Sequence, residues 1–363
     1  MDGDKFGSGS LLDPSSALDP SKRARFGEPH KFLPVLFVVF TISSLGSIYL
    51  CFHIVPLLAG GGAFQAPLGQ NAEHRGLVQL TVFVPVTVML LICYVRCILT
   101  HPGEIPDNDA KWEYMHGGGK LTAAPLSLQE VKKSGERRHC KWCGKYKPDR
   151  CHHCRVCKTC ILKMDHHCPW IYNCVGFANY KYFFLLLFYC VVDCHFITWT
   201  MAESVQRCVY NVDTPFLTLF LTFFGETLAL FLTVLVTMFF GLHIWLMTKA
   251  MTTIEFCEKS TPKDGGSKTY DSVYDLGFCG NVRAVLGNNV FFWFLPLSLP
   301  EGDGMTFVCD ETRLTKDMEN GKGIRRKTHQ KTQRNRDGPA FGDESFGSAY
   351  FDPELFGTRN PNP

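Results

Sequence analysis

Four stretches of this chain, residues 33–58, 77–99, 182–201 and about 225–248, are strongly apolar. At 1.5 Å rise per residue, each is long enough as a helix to cross a hydrocarbon layer of about 30 Å. Apolar stretches buried in soluble proteins more often run about 10–14 residues, so the pattern predicts membrane spans rather than two soluble domains. Residues 33–99 are expected to hold the first two helices and residues 182–248 the last two. The run beginning at Phe216, FLTLFLTFFGE, exceeds what the last span needs and reads as an interfacial lead-in.

The polar segments divide the remainder. Residues 1–32 are rich in Pro, Ser and Gly and lack the apolar core of a cleavable signal, so a disordered tail is expected and the first span stays in the mature protein. Gly60, Gly61 and Gly62 mark the turn of the first hairpin. Residues 100–138, with Gly117, Gly118 and Gly119, read as a linker, and 139–181 as a compact cysteine-rich block. Residues 249–300 mix apolar and polar positions and suit the membrane interface. Beyond that, 301–363 are charged and Gly/Asn/Gln-rich, with the basic run Arg325, Arg326 and Lys327, and are expected to be disordered.

Net charge is +3, too weak to argue for nucleic acid. Its placement says more. The short connections after the first and third spans carry one Arg each, Arg75 and Arg207, while nearly all the other Lys and Arg fall in the two tails and the middle loop. By the positive-inside bias, those three regions face the cytosol, with an even number of spans and both termini inside.

The middle loop ends in CKWCGKYKPDRCHHCRVCKTCILKMDHHCPWIYNCVGFANYKYF, which holds eight of the chain's 17 cysteines and four of its 13 histidines. Under cytosolic, reducing conditions such density favours metal thiolates over disulfides. Structural zinc takes four Cys or His ligands, often from C-x2-C knuckles such as Cys140/Cys143. Spacing leaves two arrangements open. All eight cysteines could form two all-cysteine sites, or six cysteines with two histidines could leave Cys168 free.

The block resembles the cysteine-rich domain of the DHHC family of protein S-acyltransferases. It carries Asp165, His166, His167 and Cys168, then Pro169 and Trp170, then Asn173, Cys174, Gly176 and Asn179. The resemblance extends to the four-span layout, to Thr-Thr-x-Glu after the last span (Thr252, Thr253, Glu255), and to YDLG followed by Asn281. Val285, Leu286 and Gly287 stand where the family often shows a Phe before Gly. The implied fold is an all-α polytopic membrane protein, four helices with a small cytosolic zinc-bound domain between the second and third. The implied sites are one zinc on Cys140, Cys143, His153 and Cys160 and another on Cys154, Cys157, His167 and Cys174. Both sets are closed, so the metals are expected to be structural and to supply much of the module's folding free energy. Cys151 lies outside both sets.

The resemblance implies Cys168 as nucleophile, His166 as its base and Asp165 as the group that orients His166. The implied reaction is two-step. Cys168 takes a long-chain acyl group, such as palmitoyl, from acyl-CoA and passes it to a cysteine of a membrane-associated protein. Thr252, Thr253, Glu255, Asn281 and Trp170 are expected to support the site, although Thr-Thr-x-Glu taken alone reads as an ordinary helix cap. Asp193 lies about 20 Å along a helix from Tyr180, a costly depth for a carboxylate. Two roles are open for it: a limit on acyl length at the far end of the chain's cavity, or a hydrogen bond to Thr41, Ser43, Ser44 or Thr198. A non-catalytic zinc scaffold is the competing class, and a free thiol beside a histidine argues against it.

Overall fold

The computed structural model describes residues 32–59, 71–106, 130, 137–260, 272–298 and 300–307. Of the expected disordered tails 1–32 and 301–363, all but Phe32 and residues 301–307 lie outside the described residues, as do the glycine turn at 60–62 and most of the linker. Residues 301–307 correct the expectation: Met305 packs beside Cys140 and Cys160 and Phe307 lies against Tyr274, an apolar anchoring that bulk composition does not report. Four helices are long and apolar enough to cross a membrane: Leu33–Leu58, Ala72–Leu99, Tyr180–Tyr210 and Phe216–Thr248. The protein is a helical polytopic membrane protein with its cysteine-rich block between the second and third of them.

The first span starts as α1 (Leu33–Tyr49), passes through a π-helical turn at Leu50–Ile54 and ends as α2 (Val55–Leu58). Pro56 accounts for the π turn: its ring crowds the carbonyl four residues back and it has no N–H to donate, so the preceding turn widens. The other spans are α3 (Ala72–Leu99), α4 (Tyr180–Tyr210) and α5 (Phe216–Thr248). Short helices α6 (Thr253–Ser260) and α7 (Phe278–Leu286) follow.

Three of the spans are longer than the sequence pattern suggests. Phe216 opens α5 itself, so the expected lead-in is continuous helix, and Gly225 lies inside it where a Cβ would stand 2.6 Å from Ile48. Likewise, Arg75 and Arg207 lie in terminal turns of α3 and α4 rather than in connections. There Arg75 pairs with Glu203 at 2.8 Å and Arg207 donates to Ser204 Oγ at 2.7 Å.

Outward-facing Leu36, Phe40, Leu91, Phe231, Val234 and Met238 are exposed, the pattern of a lipid-facing surface. Among the described residues, the two largest apolar clusters involve the bundle. One joins Leu45, Ile48, Tyr49, Phe83, Ile197, Met201 and Ala229. The other joins the feet of the spans (Val35, Tyr94, Cys97, Tyr182, Phe183) to Cys168, Ile171, Tyr172 and Val175 of the cysteine block. The block therefore shares a core with the membrane helices.

The block is not helical. It contains two antiparallel hairpins, β1 (His152–Cys154) with β2 (Thr159–Ile161), and β3 (His166–Cys168) with β4 (Asn173–Val175). Gly176 follows β4 where a Cβ would stand 2.6 Å from Ile161 and 2.9 Å from the Pro102 carbonyl oxygen, so only glycine lets the hairpins close on the chain entering α4.

Candidate active site and metal centres

Register explains how two histidines and six cysteines converge. In the first hairpin His153 pairs directly with Cys160; in the second, His167 pairs directly with Cys174. Cys140 and Cys143 join the first pair, and Cys154 and Cys157 join the second, with ligand atoms within 4.8 Å of one another in each group. Because Cys154 ends β1, the first hairpin helps build both sites.

The spacings suit zinc. The Sγ atoms of Cys140, Cys143 and Cys160 lie 3.5, 3.3 and 3.9 Å from His153 Nδ1. Those of Cys154, Cys157 and Cys174 lie 3.7, 3.5 and 3.5 Å from His167 Nδ1. Tetrahedral zinc with Zn–S near 2.3 Å and Zn–N near 2.0–2.1 Å separates sulfur from nitrogen by about 3.6 Å. An imidazole nitrogen holds one proton or one lone pair and cannot hydrogen-bond three thiols at once. Shared coordination fits the arrangement better than hydrogen bonding does. The Cys157 amide donates to Cys154 Sγ at 3.3 Å, and Trp142 stacks on His153 at 4.9 Å. Cys151 stays outside both groups, fully buried beside Cys140 and Cys160.

Strand alternation then separates the two roles in the His166–His167–Cys168 run. Successive side chains of a strand point to opposite faces. His167 faces the metal group, so His166 and Cys168 share the other face. His166 Nδ1 lies 2.7 Å from Asp165 Oδ2, which leaves Nε2 for the Cys168 thiol. Asp165 is fully buried and Cys168 nearly so. Burial opposes the Asp165 carboxylate, but hydrogen bonding to His166 and Thr253 and the histidine charge hold it below the usual carboxylate range. Burial also disfavours charged His166, yet hydrogen bonds with Asp165 and Cys168 outweigh it and carry the imidazole up to about 9. The ring is therefore a stronger base than free histidine.

Thr252 and Glu255 cap a helix while Thr253, between them, hydrogen-bonds Asp165. Thr252 and Glu255 form a reciprocal capping box at the start of α6: the Thr252 amide donates to Glu255 Oε2 at 2.9 Å and the Glu255 amide to Thr252 Oγ1 at 3.2 Å. The cap frees Thr253 to donate its amide to Asp165 Oδ1 and its hydroxyl to Asp165 Oδ2, both at 3.0 Å. Glu255 also receives a bidentate pair from Arg150, at 2.6 and 2.9 Å.

Arg150 carries no mark in the sequence reading, yet several segments meet on it. Its guanidinium donates to the Ala250 carbonyl at 2.9 Å and lies over the rings of Tyr274 (4.6 Å) and Phe307 (5.2 Å), while its amide donates to Glu130 at 3.0 Å. A lone Arg in a Lys/Arg-rich block gave no signal for this. Asn281 closes the same region, donating to the Thr248 carbonyl at 2.9 Å and to Asp275 at 2.7 Å. Two signature asparagines gain definite partners. Asn173 donates to the carbonyls of Cys97 and Thr100, each at 2.9 Å, at the end of α3. Asn179 spans the turn into α4, accepting from the Gly176 amide at 2.9 Å and donating to the Cys174 carbonyl at 2.8 Å. The Trp170 ring is half-exposed; its backbone carbonyl accepts from Tyr94 at 2.9 Å.

Asp193 is buried between spans and borders a cavity of about 50 Å³ lined by Thr41, Phe83, Leu90, Cys190 and Leu232 among others. Its hydroxyl partner is Thr87 of α3, at 3.2 Å, and none of the four expected residues. Thr198 pairs with Thr233 instead, and Thr41 with the Phe37 carbonyl. Helix rotation decided this, and hydropathy does not report it.

A family model described as DHHC palmitoyltransferase matches residues 133–260. Palmitoyltransferase ZDHHC2 of Rattus norvegicus is 42% identical over 208 residues, covering 56% of this chain and 55% of that protein. Palmitoyltransferase ZDHHC15 of Mus musculus is 41% identical over 182 residues, or 48% of this chain and 51% of the relative. The chain thus spans about half the length of these relatives. Palmitoyltransferase ZDHHC20-B of Danio rerio is 35% identical over 249 residues, 64% of this chain and 75% of that protein. The chain belongs to the DHHC palmitoyltransferase family.

Proposed function

We propose that this protein is a membrane-embedded protein S-acyltransferase. Cys168 takes a long-chain acyl group, palmitoyl among them, from acyl-CoA and transfers it to cytosolic cysteines of membrane-associated proteins by a two-step, ping-pong route. The observation that carries this reading is the Cys168 thiol on the same strand face as His166, whose other nitrogen is 2.7 Å from buried Asp165. In the first step the thiol proton passes to His166 Nε2 and sulfur attacks the thioester carbonyl. On collapse the CoA thiolate leaves with that proton. In the second step the acceptor cysteine repeats the exchange and restores the Cys168 thiol. Asp165 keeps its proton-free form and holds the imidazolium.

Cys140, Cys143, His153 and Cys160 would hold one zinc, and Cys154, Cys157, His167 and Cys174 the other. Bound there, the metals supply structural cross-links and leave the chemistry to Cys168, His166 and Asp165. Cys168 shares a core with the feet of the spans, which suits an acyl chain lying between them, each buried CH2 being worth about 0.8 kcal/mol. Asp193, further along α4, is proposed to limit acyl length. Both termini are assigned to the cytosol and the host membrane to the endomembrane system (Golgi or ER) or plasma membrane. The test is incubation of purified protein in detergent with labelled palmitoyl-CoA. A hydroxylamine-labile adduct absent from Cys168→Ser supports the assignment. No adduct on zinc-loaded protein favours a scaffold.

A further inference from the structure

His243 of α5 has no place in the assignment above, and its surroundings are unusual. Its side chain is fully buried one and a half turns before the end of the span. Phe183 and Phe239 pack edge-on against its ring at 5.1 and 4.7 Å, and the His166 ring lies 6.2 Å away. Nδ1 faces the Tyr180 hydroxyl at 3.4 Å. Nε2 is buried with no hydrogen-bond partner among the described residues. Buried polar groups are nearly always paired, because an unpaired one costs its full desolvation. An orphan beside the catalytic pair calls for a partner that arrives with the substrate.

The tautomer follows from Tyr180. Its hydroxyl must donate, and His243 Nδ1 is its hydrogen-bond partner among the described residues. With Nδ1 accepting, the proton sits on Nε2, which makes the orphan a donor. Acyl transfer between thiols passes through a tetrahedral intermediate whose carbonyl oxygen gains negative charge. A preset donor in a dry pocket stabilises that charge far more than one in water. Among the residues that Cys168 and His166 adjoin, nothing assigned so far supplies such a donor.

We infer that His243 Nε2–H is a hydrogen-bond donor to the acyl thioester oxygen during transfer, with Tyr180 fixing its tautomer. This rests on the acyltransferase reading. The balance of the reaction is unchanged: the Cys168 proton goes to His166 and then to the departing thiolate, and His243 keeps its own proton throughout. Its hydrogen bond to oxygen strengthens as the carbon–sulfur bond to Cys168 forms and relaxes as the bond to the leaving sulfur breaks.

Single-turnover adduct formation with palmitoyl-CoA tests this on the full-length protein, read beside acyl-CoA affinity and zinc content. His243→Phe keeps the ring and loses the donor; it is expected to slow adduct formation about 10²–10³-fold with affinity and two zincs per chain retained. His243→Asn and His243→Gln restore an N–H and are expected to recover part of the rate. Tyr180→Phe, which releases the tautomer, gives an intermediate loss. A His243→Phe rate within twofold of wild type overturns the inference. So does an equal loss in Phe, Asn and Gln variants that remain folded and zinc-loaded, since packing alone would then explain it. Failure of the wild-type protein to form any adduct would instead sink the acyltransferase assignment.

Discussion

Cutting the link between Arg150 and Glu255 should loosen the site from behind. The two side chains are 4% and 10% exposed and meet at 2.6 Å, so little solvent screens them. Removing one member of such a pair strands the other charge, at a cost of about 3–5 kcal/mol, whereas removing both costs less. At about 2–4 °C per kcal/mol for a unit of 150–250 residues, Glu255→Gln or Arg150→Leu should lower the apparent Tm by roughly 6–20 °C. The Arg150→Leu/Glu255→Gln double variant should lose clearly less than the sum of the single losses. Because Thr253 reaches Asp165 only while α6 stays capped, adduct formation at Cys168 should fall in the single variants even well below their Tm. Tryptophan fluorescence melts in detergent, run beside the acylation assay, provide both readouts. Single variants that melt within 2 °C of wild type, or a double variant that is simply additive, would refute the reasoning.

Four further outcomes follow from the same geometry. Thr253→Val keeps the helix but removes the hydroxyl bonded to Asp165, and should slow adduct formation about ten- to hundredfold with both zincs retained; an unchanged rate would remove Thr253 from the site. His153→Ala should bring the zinc content measured by elemental analysis from two per chain toward one and leave the protein prone to unfolding. Asp193→Leu should change the acyl-CoA chain-length profile, and an identical profile would end the length-limit proposal. The fourth concerns pH: burial opposes the Glu255 carboxylate, but Arg150 and its hydrogen bonds hold it below its ordinary range. Its stabilisation is therefore present above the unfolded value near 4.3 and lost as pH falls through the lower folded value. The Tm gap between wild type and Glu255→Gln should accordingly shrink on acidification below about pH 4.

Features written locally in the chain were the legible ones. Hydropathy located the four spans, and the doubled knuckles announced metal sites. Spacing alone could not choose between ligand sets. One further local signal was available: His166, His167 and Cys168 are consecutive, so placing them on a strand sends His167 one way and His166 with Cys168 the other. What stayed hidden depends on contacts between distant segments. Arg150 meets Glu255 across 105 residues, and Thr87 meets Asp193 across 106. The partner of Asp193 turned on which face of α3 met α4, a rotation that apolar runs do not encode. Of the three cysteines near the expected cytosolic interface, Cys97 is fully buried against the core that holds Cys168, while Cys257 and Cys279 are exposed, a difference that position along the chain does not report.

Asn173 has a consequence for selectivity. It sits opposite Cys168 in the second hairpin and grips the final carbonyls of a helix that crosses the membrane. The reactive sulfur is therefore held at a set altitude, measured from the bilayer rather than from any partner protein. On the proposed reading, an acceptor needs a cysteine whose tether to the same membrane reaches that altitude, whatever residues flank it. Selection then works as a ruler works, by reach, and lengthening or shortening the tether of an acceptor should matter more than changing its neighbouring side chains.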